Sequence, residues 1–221
     1  MIGVFITARL GSTRLSEKHL IETKGKPFII WLIERFNAKF CEKIKKKELK
    51  IFVTTSINPE NKKFELILDK NQVEIFYGSD ENIPLRHLDC AEKNNIDHII
   101  SVDGDDILCS TEATSLVIEK LLKGFNIVQT SGLPLGMNVT GYSSKFLKKS
   151  LEGKKNNKLE TGWGKIFDKD EISLIQINEF KSLEKIRMTL DYEADADFFK
   201  TVISLTDVKK ISDKSLIKKI I

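Results

Sequence analysis

The chain of 221 residues has three cysteines, Cys41, Cys90 and Cys109, widely spaced and without a CxxC pair. A disulfide framework and a cysteine zinc site are both excluded, and a reducing cytoplasm is the expected compartment. Long apolar runs are also missing. Nothing approaches the ~20 residues of a membrane-spanning helix, so no membrane partner is expected. The opening apolar run 2–8 has no basic stretch before it and meets Arg9 at once, which does not fit a secretory signal. Charge of one sign is scarce too: 36 Lys and Arg stand against 32 Asp and Glu, for a net +4. Much of that excess sits in runs such as Lys43, Lys45, Lys46 and Lys47. Such runs read as solvated faces, so no nucleic-acid partner is expected. Internal repeats and linkers are absent, and so are GxxxxGK[ST] and GxGxxG, which removes the P-loop and dinucleotide-dehydrogenase readings.

What is present is a globular composition, 41% hydrophobic and 31% charged, laid out in an alternating rhythm. The run 2–6 (IGVFI) fits a strand buried on both faces. Pro27 suits the first turn of a helix with Ile30, Leu32, Ile33 and Phe36 on its apolar positions. Further strands are expected at 49–55, 73–77, 98–102 and 125–130, with helices at 59–68, 83–94 and 111–123. Beyond 132 the rhythm weakens into a turn and strand over 133–142, a polar loop at 154–158, and strands at 172–177 and 186–190. A helix at 193–205 and a short amphipathic one from 213 close the chain. The pattern predicts one α/β domain over 1–221: a mostly parallel sheet with helices on both faces, and an inserted lobe at about 132–180. In open sheets of this kind, ligands bind beyond the carboxyl ends of the strands. The loops after the first and fourth strands are therefore the places to search.

The first of these, TARLGSTR at 7–14 followed by Lys18, gathers Arg9, Arg14, Lys18, several hydroxyls and Gly11. A triphosphate needs such a place: cations and exposed N–H groups offset its charge, and a glycine lets the backbone approach. A surface loop with incidental cations would have the same composition. The second is Asp103-Gly104-Asp105-Asp106. Its hard oxygen donors suit Mg²⁺, which takes one or two carboxylates together with waters and substrate phosphates. An Asp/Gly-rich turn is the plain alternative. Asp191, ahead of the helix at 193–205, reads either as a second carboxylate on the same edge or as a helix N-cap. His19, His87 and His98 are isolated, and each is expected to be structural or on the surface.

TARLGSTRLSEKHL at 7–20, followed by GKP at 25–27, resembles the opening of the cytidylyltransferases of the CMP-Kdo synthetase, CMP-sialate synthetase and SpsF-like type. Their pattern is close to ARxxSTRLPGKxL followed by GKPxI, with Ser16-Glu17 here in place of Pro-Gly. TTSINPEN at 54–61 and FYGSDENIPLRHLDCAEKNNID at 76–97 continue the likeness, with Tyr77 where SpsF-like members usually have Arg. The resemblance implies a Rossmann-like, three-layer α/β/α nucleotidyltransferase fold. It also implies transfer of CMP from CTP to a sugar or sugar acid with release of pyrophosphate, supplying an activated sugar for surface polysaccharide or glycoconjugate synthesis. By the same resemblance, the nucleotide site takes in Ala8, Arg9, Leu10, Gly11, Ser12, Arg14 and Lys18, with Arg86 and Asp103. Asp105 and Asp191 would hold Mg²⁺, and Arg14, Lys18 and Asp105 would carry the catalysis. Arg86 read without the family would be a surface salt-bridge residue. Asp195 matches a later acid of the family, read as capping or orienting.

The acceptor end departs most from the family. Asn138 and Thr140 stand where acids are common, and ETGWGK at 160–165 replaces an EHVTPY-like motif. Asn138, Thr140 and Trp163 are the acceptor candidates. Trp163 either stacks on a sugar or fills a dimer or core contact. The family likeness implies a homodimer formed through the inserted lobe. Rival readings are transfer to a phosphonate or polyol phosphate, use of another base, and a catalytically silent nucleotide-binding protein.

Overall fold

A computed structural model describes residues 1–69, 72–154 and 158–220, so part of the expected loop at 154–158 lies outside the described residues. The elements in chain order begin with β1 (Ile2–Thr7), a two-strand hairpin of β2 (Glu22–Thr23) and β3 (Lys26–Pro27), α1 (Phe28–Lys45) and β4 (Leu49–Ser56). They continue with α2 (Phe64–Ile67), β5 (Glu74–Gly78), α3 (Ile83–Asn94), β6 (His98–Asp103) and α4 (Thr111–Leu122). Then come β7 (Ile127–Ser131), β8 (Thr140–Ser143), α5 (Ser144–Ser150), β9 (Ile172–Gln176), α6 (Glu193–Leu205) and α7 (Asp213–Ile220).

Seven strands form one sheet in the order β5-β4-β1-β6-β8-β7-β9. Only β8 runs antiparallel to its neighbours. Successive side chains of β1 face opposite layers. Val4 and Ile6 pack with Phe36 of α1, Val117 of α4 and Phe199 of α6. Phe5 packs with Phe52, Leu88 of α3 and Leu147 of α5. Both faces are covered, which is why IGVFI shows no polar alternation. Truncating a phenylalanine at such a position costs roughly 3–5 kcal/mol. The expected three-layer architecture is the one observed.

Behind the sheet, the guanidinium of Arg35, on α1, donates to the carbonyl of Cys109 at 3.1 Å and to Asp213 Oδ1 at 3.0 Å. Asp213 also accepts from the hydroxyl of Ser110, the N-cap of α4. This buried pair ties α7 to α1 and α4. Removing one partner would leave an uncompensated buried charge, at a cost of about 3–5 kcal/mol.

Three details differ from the sequence expectation. The helix expected at 59–68 is a 3-10 turn over Pro59–Lys63 followed by the single turn of α2. The helix α5 was not expected; Ser143 starts it by accepting from the N–H of Phe146 at 3.1 Å. The segment 186–190 is no strand: it bends at Ile186 and Thr189, and Arg187 makes a single isolated bridge with Leu135. Leu135 N donates to Ile186 O at 2.9 Å, Met188 N to Leu135 O at 2.8 Å, and Leu190 N to Asp105 O at 2.9 Å. Gly136 makes this approach feasible: its φ is +93°, and a Cβ there would lie 2.2 Å from the Met188 carbonyl oxygen. The segment 132–180, expected as an inserted lobe, contributes β8 and β9 to the main sheet.

Candidate active site

Register makes the rim. Thr7 pairs with Thr54 on one side and with Asp103 on the other, so β1 and β6 end level while β4 runs two residues further, to Ser56. The loops after β1 and β6 are then joined directly, with Gly104 N donating to Thr7 O at 2.8 Å. A Cβ at position 104 would sit 2.9 Å from Ala8 Cβ and 3.0 Å from Thr7 O, so only glycine lets the two loops close up. On the other side, Leu10 N donates to Asn61 Oδ1 at 2.8 Å, which leans the first loop over the end of β4.

The loops and the N-terminus of α3 enclose a cleft of about 430 Å³, a size usual for small-ligand sites. Along one wall runs a chain of paired charges. Lys18, only 5% exposed, donates from Nζ to Asp105 Oδ2 at 2.6 Å and to Asp191 Oδ1 at 3.0 Å. Arg14 Nη2 lies 2.6 Å from the same Asp191 oxygen. Arg187 takes the other oxygen of Asp191 and reaches Asp195 at 3.3 Å. Asp195 in turn accepts from the N–H groups of Asp191 and Tyr192 at 2.8 and 2.9 Å. The Tyr192 ring has Arg14 at 5.7 Å and Arg187 at 5.6 Å from its centroid. Burial pushes the Asp191 carboxyl up, but hydrogen bonds from Arg187 and Lys18 outweigh it and hold the pKa below the ordinary value. Position 195, not 191, does the capping.

His19, buried beside this wall, has Nε2 at 3.5 Å from Asp105 Oδ1. Burial lowers its pKa more than the Asp105 charge raises it. Asp103 opens onto the cleft floor. Desolvation by the surrounding protein, with repulsion from Asp105, raises its pKa to about 6. Burial and the charge of Asp103 likewise drive Asp106 well above the ordinary carboxylate range.

The opposite wall is built differently. Arg86, 2% exposed, donates from Nε to Ser79 O at 2.8 Å and from Nη2 to Asp80 O at 3.2 Å. Burial lowers its pKa to about 10. It is no surface salt-bridge residue. The His87 ring is held between Thr7 Oγ1 at 2.8 Å and the Tyr142 hydroxyl at 2.7 Å, and burial drops its pKa to about 3, so it is neutral. Trp163 meets His87, Tyr142 and Phe167 edge-on, with centroids 5.9, 6.1 and 6.1 Å away, while still lining the cleft. Glu160 pairs with Arg9 Nη1 at 2.6 Å. The strand-like bridge of Leu159 to 81–83, with Leu159 N donating to Glu81 O at 2.6 Å, fixes this strap to the start of α3.

Of the residues singled out from the sequence, Ala8, Arg9, Gly11, Ser12, Arg14, Lys18, Arg86, Asp103, Asp105 and Trp163 line the cleft. Leu10 is buried beneath the loop. Asp191 joins the site through Lys18 and Arg14. Asn138 and Thr140 are not brought into the lining: Asn138 donates to Leu133 O at 3.0 Å, and Thr140 pairs within the sheet with Ser101 and Gln129. The hydroxyl of Tyr77 turns to Glu65 at 2.7 Å.

The family model described as cytidylyltransferase matches residues 4–220. The chain belongs to the cytidylyltransferase family. Among solved structures, a cytidylyltransferase from Leptospira borgpetersenii serovar Hardjo-bovis superposes with a TM-score of 0.79 at 25% identity, over 99% of this chain and 93% of that one. CMP:2-keto-3-deoxy-manno-octonic acid synthetase in complex with CTP superposes with a TM-score of 0.65 at 12% identity, over 92% and 98% of the two chains, a likeness of fold. An uncharacterized protein of Methanocaldococcus jannaschii is 26% identical over 226 residues, covering 96% of this chain and 89% of that protein.

As a cytidylyltransferase, the protein is a nucleotidyltransferase, and its paired wall contains two residues that reading the sequence missed. Arg187 lies outside any helix or strand, so its ion pair with Asp191 has no periodic signal in the sequence. The contact of His19 with Asp105 spans 86 positions and has no local signal.

Proposed function

We propose that this cytidylyltransferase transfers CMP from CTP to a hydroxyl group of a sugar or sugar acid in the cytoplasm, with Mg²⁺ as cofactor. The observation that carries the reading is the position of the Lys18 ammonium, 2.6 Å from Asp105 and 3.0 Å from Asp191. A single cation already touches both carboxylates, so two hard oxygen donors converge within the reach of one ion. That donor set fits Mg²⁺, which would be held by Asp105 and Asp191. When bound, the ion supplies charge neutralisation at the α-phosphate and lowers the pKa of a hydroxyl bound to it.

The chain's own residues do the rest. Arg9, Arg14 and Lys18, with the backbone from Ala8 to Ser12, would cradle the triphosphate. Arg86 would shape the base side through the loop carbonyls it holds. The acceptor oxygen forms a bond to the α-phosphorus as the bond from that phosphorus to the β-phosphate's bridging oxygen breaks. The hydroxyl proton is lost to solvent and pyrophosphate leaves. Arg14 and Lys18 offset the charge that builds on it, and most of the rate comes from such positioning and charge stabilisation. Trp163 would border the acceptor, and a homodimer follows the family pattern.

The test is pyrophosphate release from each of the four nucleoside triphosphates, with and without Mg²⁺, over a panel of sugars and sugar acids. CTP should be preferred, and chelation should abolish turnover. Equal use of all four, or turnover indifferent to chelation, would contradict the reading.

A further inference from the structure

The cleft is lined by four cations, Arg9, Arg14, Lys18 and Arg86, and by four carboxylates, Asp80, Asp103, Asp105 and Glu160. Arg86 is buried, and its guanidinium is committed to backbone carbonyls. On the reading proposed above, which this inference rests on, Arg9, Arg14 and Lys18 turn to the triphosphate and Asp105 to the metal. Among the described residues, no lining cation is then left with a free donor for a second anion.

Asp80 is engaged by Ser56 and Asn58 and by the charge of Arg86, which leaves two carboxylates open. The side chain of Asp103 has neither a hydrogen bond nor an ion pair among the described residues. Glu160 has its one ion pair there with Arg9, and loses it once Arg9 turns to a phosphate. A carboxylate repels a polyphosphate, so with the metal assigned to Asp105 and Asp191, Asp103 and Glu160 are left to serve hydroxyls or an ammonium group. Beside them stands Trp163, packed at steep angles against three rings yet lining the cleft, an aromatic group of fixed orientation. Acceptors that donate hydrogen bonds and present a C–H face match all three residues. Acceptors that bring a negative charge match none.

We propose that Asp103, Glu160 and Trp163 form an acceptor subsite selective for neutral or amine-bearing polyols, and that Asp103 and Glu160 exclude sugar acids and phosphorylated acceptors. The selectivity is negative as well as positive, since an acidic group would meet two carboxylates while the nearby Arg86 guanidinium has its donors committed to carbonyls. The amine is a recognition group; the nucleophile remains a hydroxyl oxygen, and the bonds made and broken are those given above.

The experiment uses the full-length protein saturated with CTP and Mg²⁺, with matched pyranoses as probes: glucose, glucosamine, glucuronate and glucose 6-phosphate. Calorimetry first measures CTP binding, and saturation-transfer NMR then ranks the four sugars. Glucosamine and glucose should bind at least about tenfold more tightly than the two anionic sugars, a difference of ~1.4 kcal/mol. Both Asp103→Asn and Glu160→Gln should narrow that ratio, and Trp163→Ala should weaken all four sugars alike. Anionic sugars binding as well as glucosamine, a ratio unmoved in both variants, or no sugar bound while CTP binds would overturn the inference and leave CMP transfer standing. Failure of CTP itself to bind would remove the underlying reading instead.

Discussion

The two walls of the cleft handle charge in opposite ways. On one, Arg14, Lys18 and Arg187 converge on Asp191, and Lys18 also holds Asp105, so every charge is satisfied within the protein. On the other, Asp103 stands open, Glu160 leans on one exposed arginine, and the order comes from rings packed around a neutral histidine. The first arrangement holds cations and carboxylates in reach of one another, so on the function proposed the arrival of a polyphosphate and a metal would be an exchange of partners rather than an assembly. The second leaves hydrogen-bond acceptors free. On the function proposed, chemistry would belong to the paired wall and selectivity to the open one.

The largest effects should come from the paired wall. Asp105→Asn or Asp191→Asn should lower pyrophosphate release by roughly 10²–10³-fold, the scale for losing a group that stabilises developing charge. Circular dichroism should show an unchanged fold. Near-normal turnover in both variants would erase the distinction between the walls. Lys18→Met should lower kcat/KM for CTP by about 10²-fold. The same change should make Mn²⁺ bind more tightly in the absence of nucleotide, because the ammonium no longer occupies the point between the carboxylates. Electron paramagnetic resonance of free Mn²⁺ checks the second effect, and weaker Mn²⁺ binding would show that Lys18 supports the ion rather than standing in its place.

How much of this could be read from the sequence follows the same division. The strands β1 and β6 and the cation loop between β1 and α1 are local in their chemistry, and spacing alone placed Arg9, Arg14, Lys18 and Asp105 on one rim. Asp191 was located, but the reason given for its approach was wrong. It arrives on a bent loop segment hydrogen-bonded to the loops of Leu135 and Asp105, made feasible by Gly136, and no strand pattern encodes that. The open wall was the least legible. Trp163 is ordered by His87 and Tyr142, residues 76 and 21 positions away, and only the sheet order brings the three rings together. Of its alternative readings, sugar stacking or a dimer or core contact, the structure shows packing against three rings of the core, and the residue also lines the cleft.

Smaller effects belong to the open wall. Trp163→Ala should raise KM for the acceptor by about tenfold, the scale of ~1.5 kcal/mol for an aromatic contact, with KM for CTP unchanged. A matching rise in both constants would instead mark a general loosening of the cleft. Glu160→Gln should tighten CTP binding by no more than about fivefold, because the pair with Arg9 is partly exposed and such pairs contribute ~0–1 kcal/mol. Calorimetry reads this directly, and weaker CTP binding would mean that Glu160 positions Arg9 rather than competing for it. Asn138→Ala, outside the lining, should change neither constant beyond roughly the ±0.5 kcal/mol of an ordinary peripheral substitution.

The most direct test of the paired wall is the affinity of the wild-type protein for Mn²⁺ with and without CTP, followed by paramagnetic resonance. Weak binding to the free protein, tightened at least about tenfold by CTP and lost in Asp191→Asn, is the predicted result. An affinity indifferent to CTP, or one that survives the loss of the Asp191 carboxylate, would contradict it.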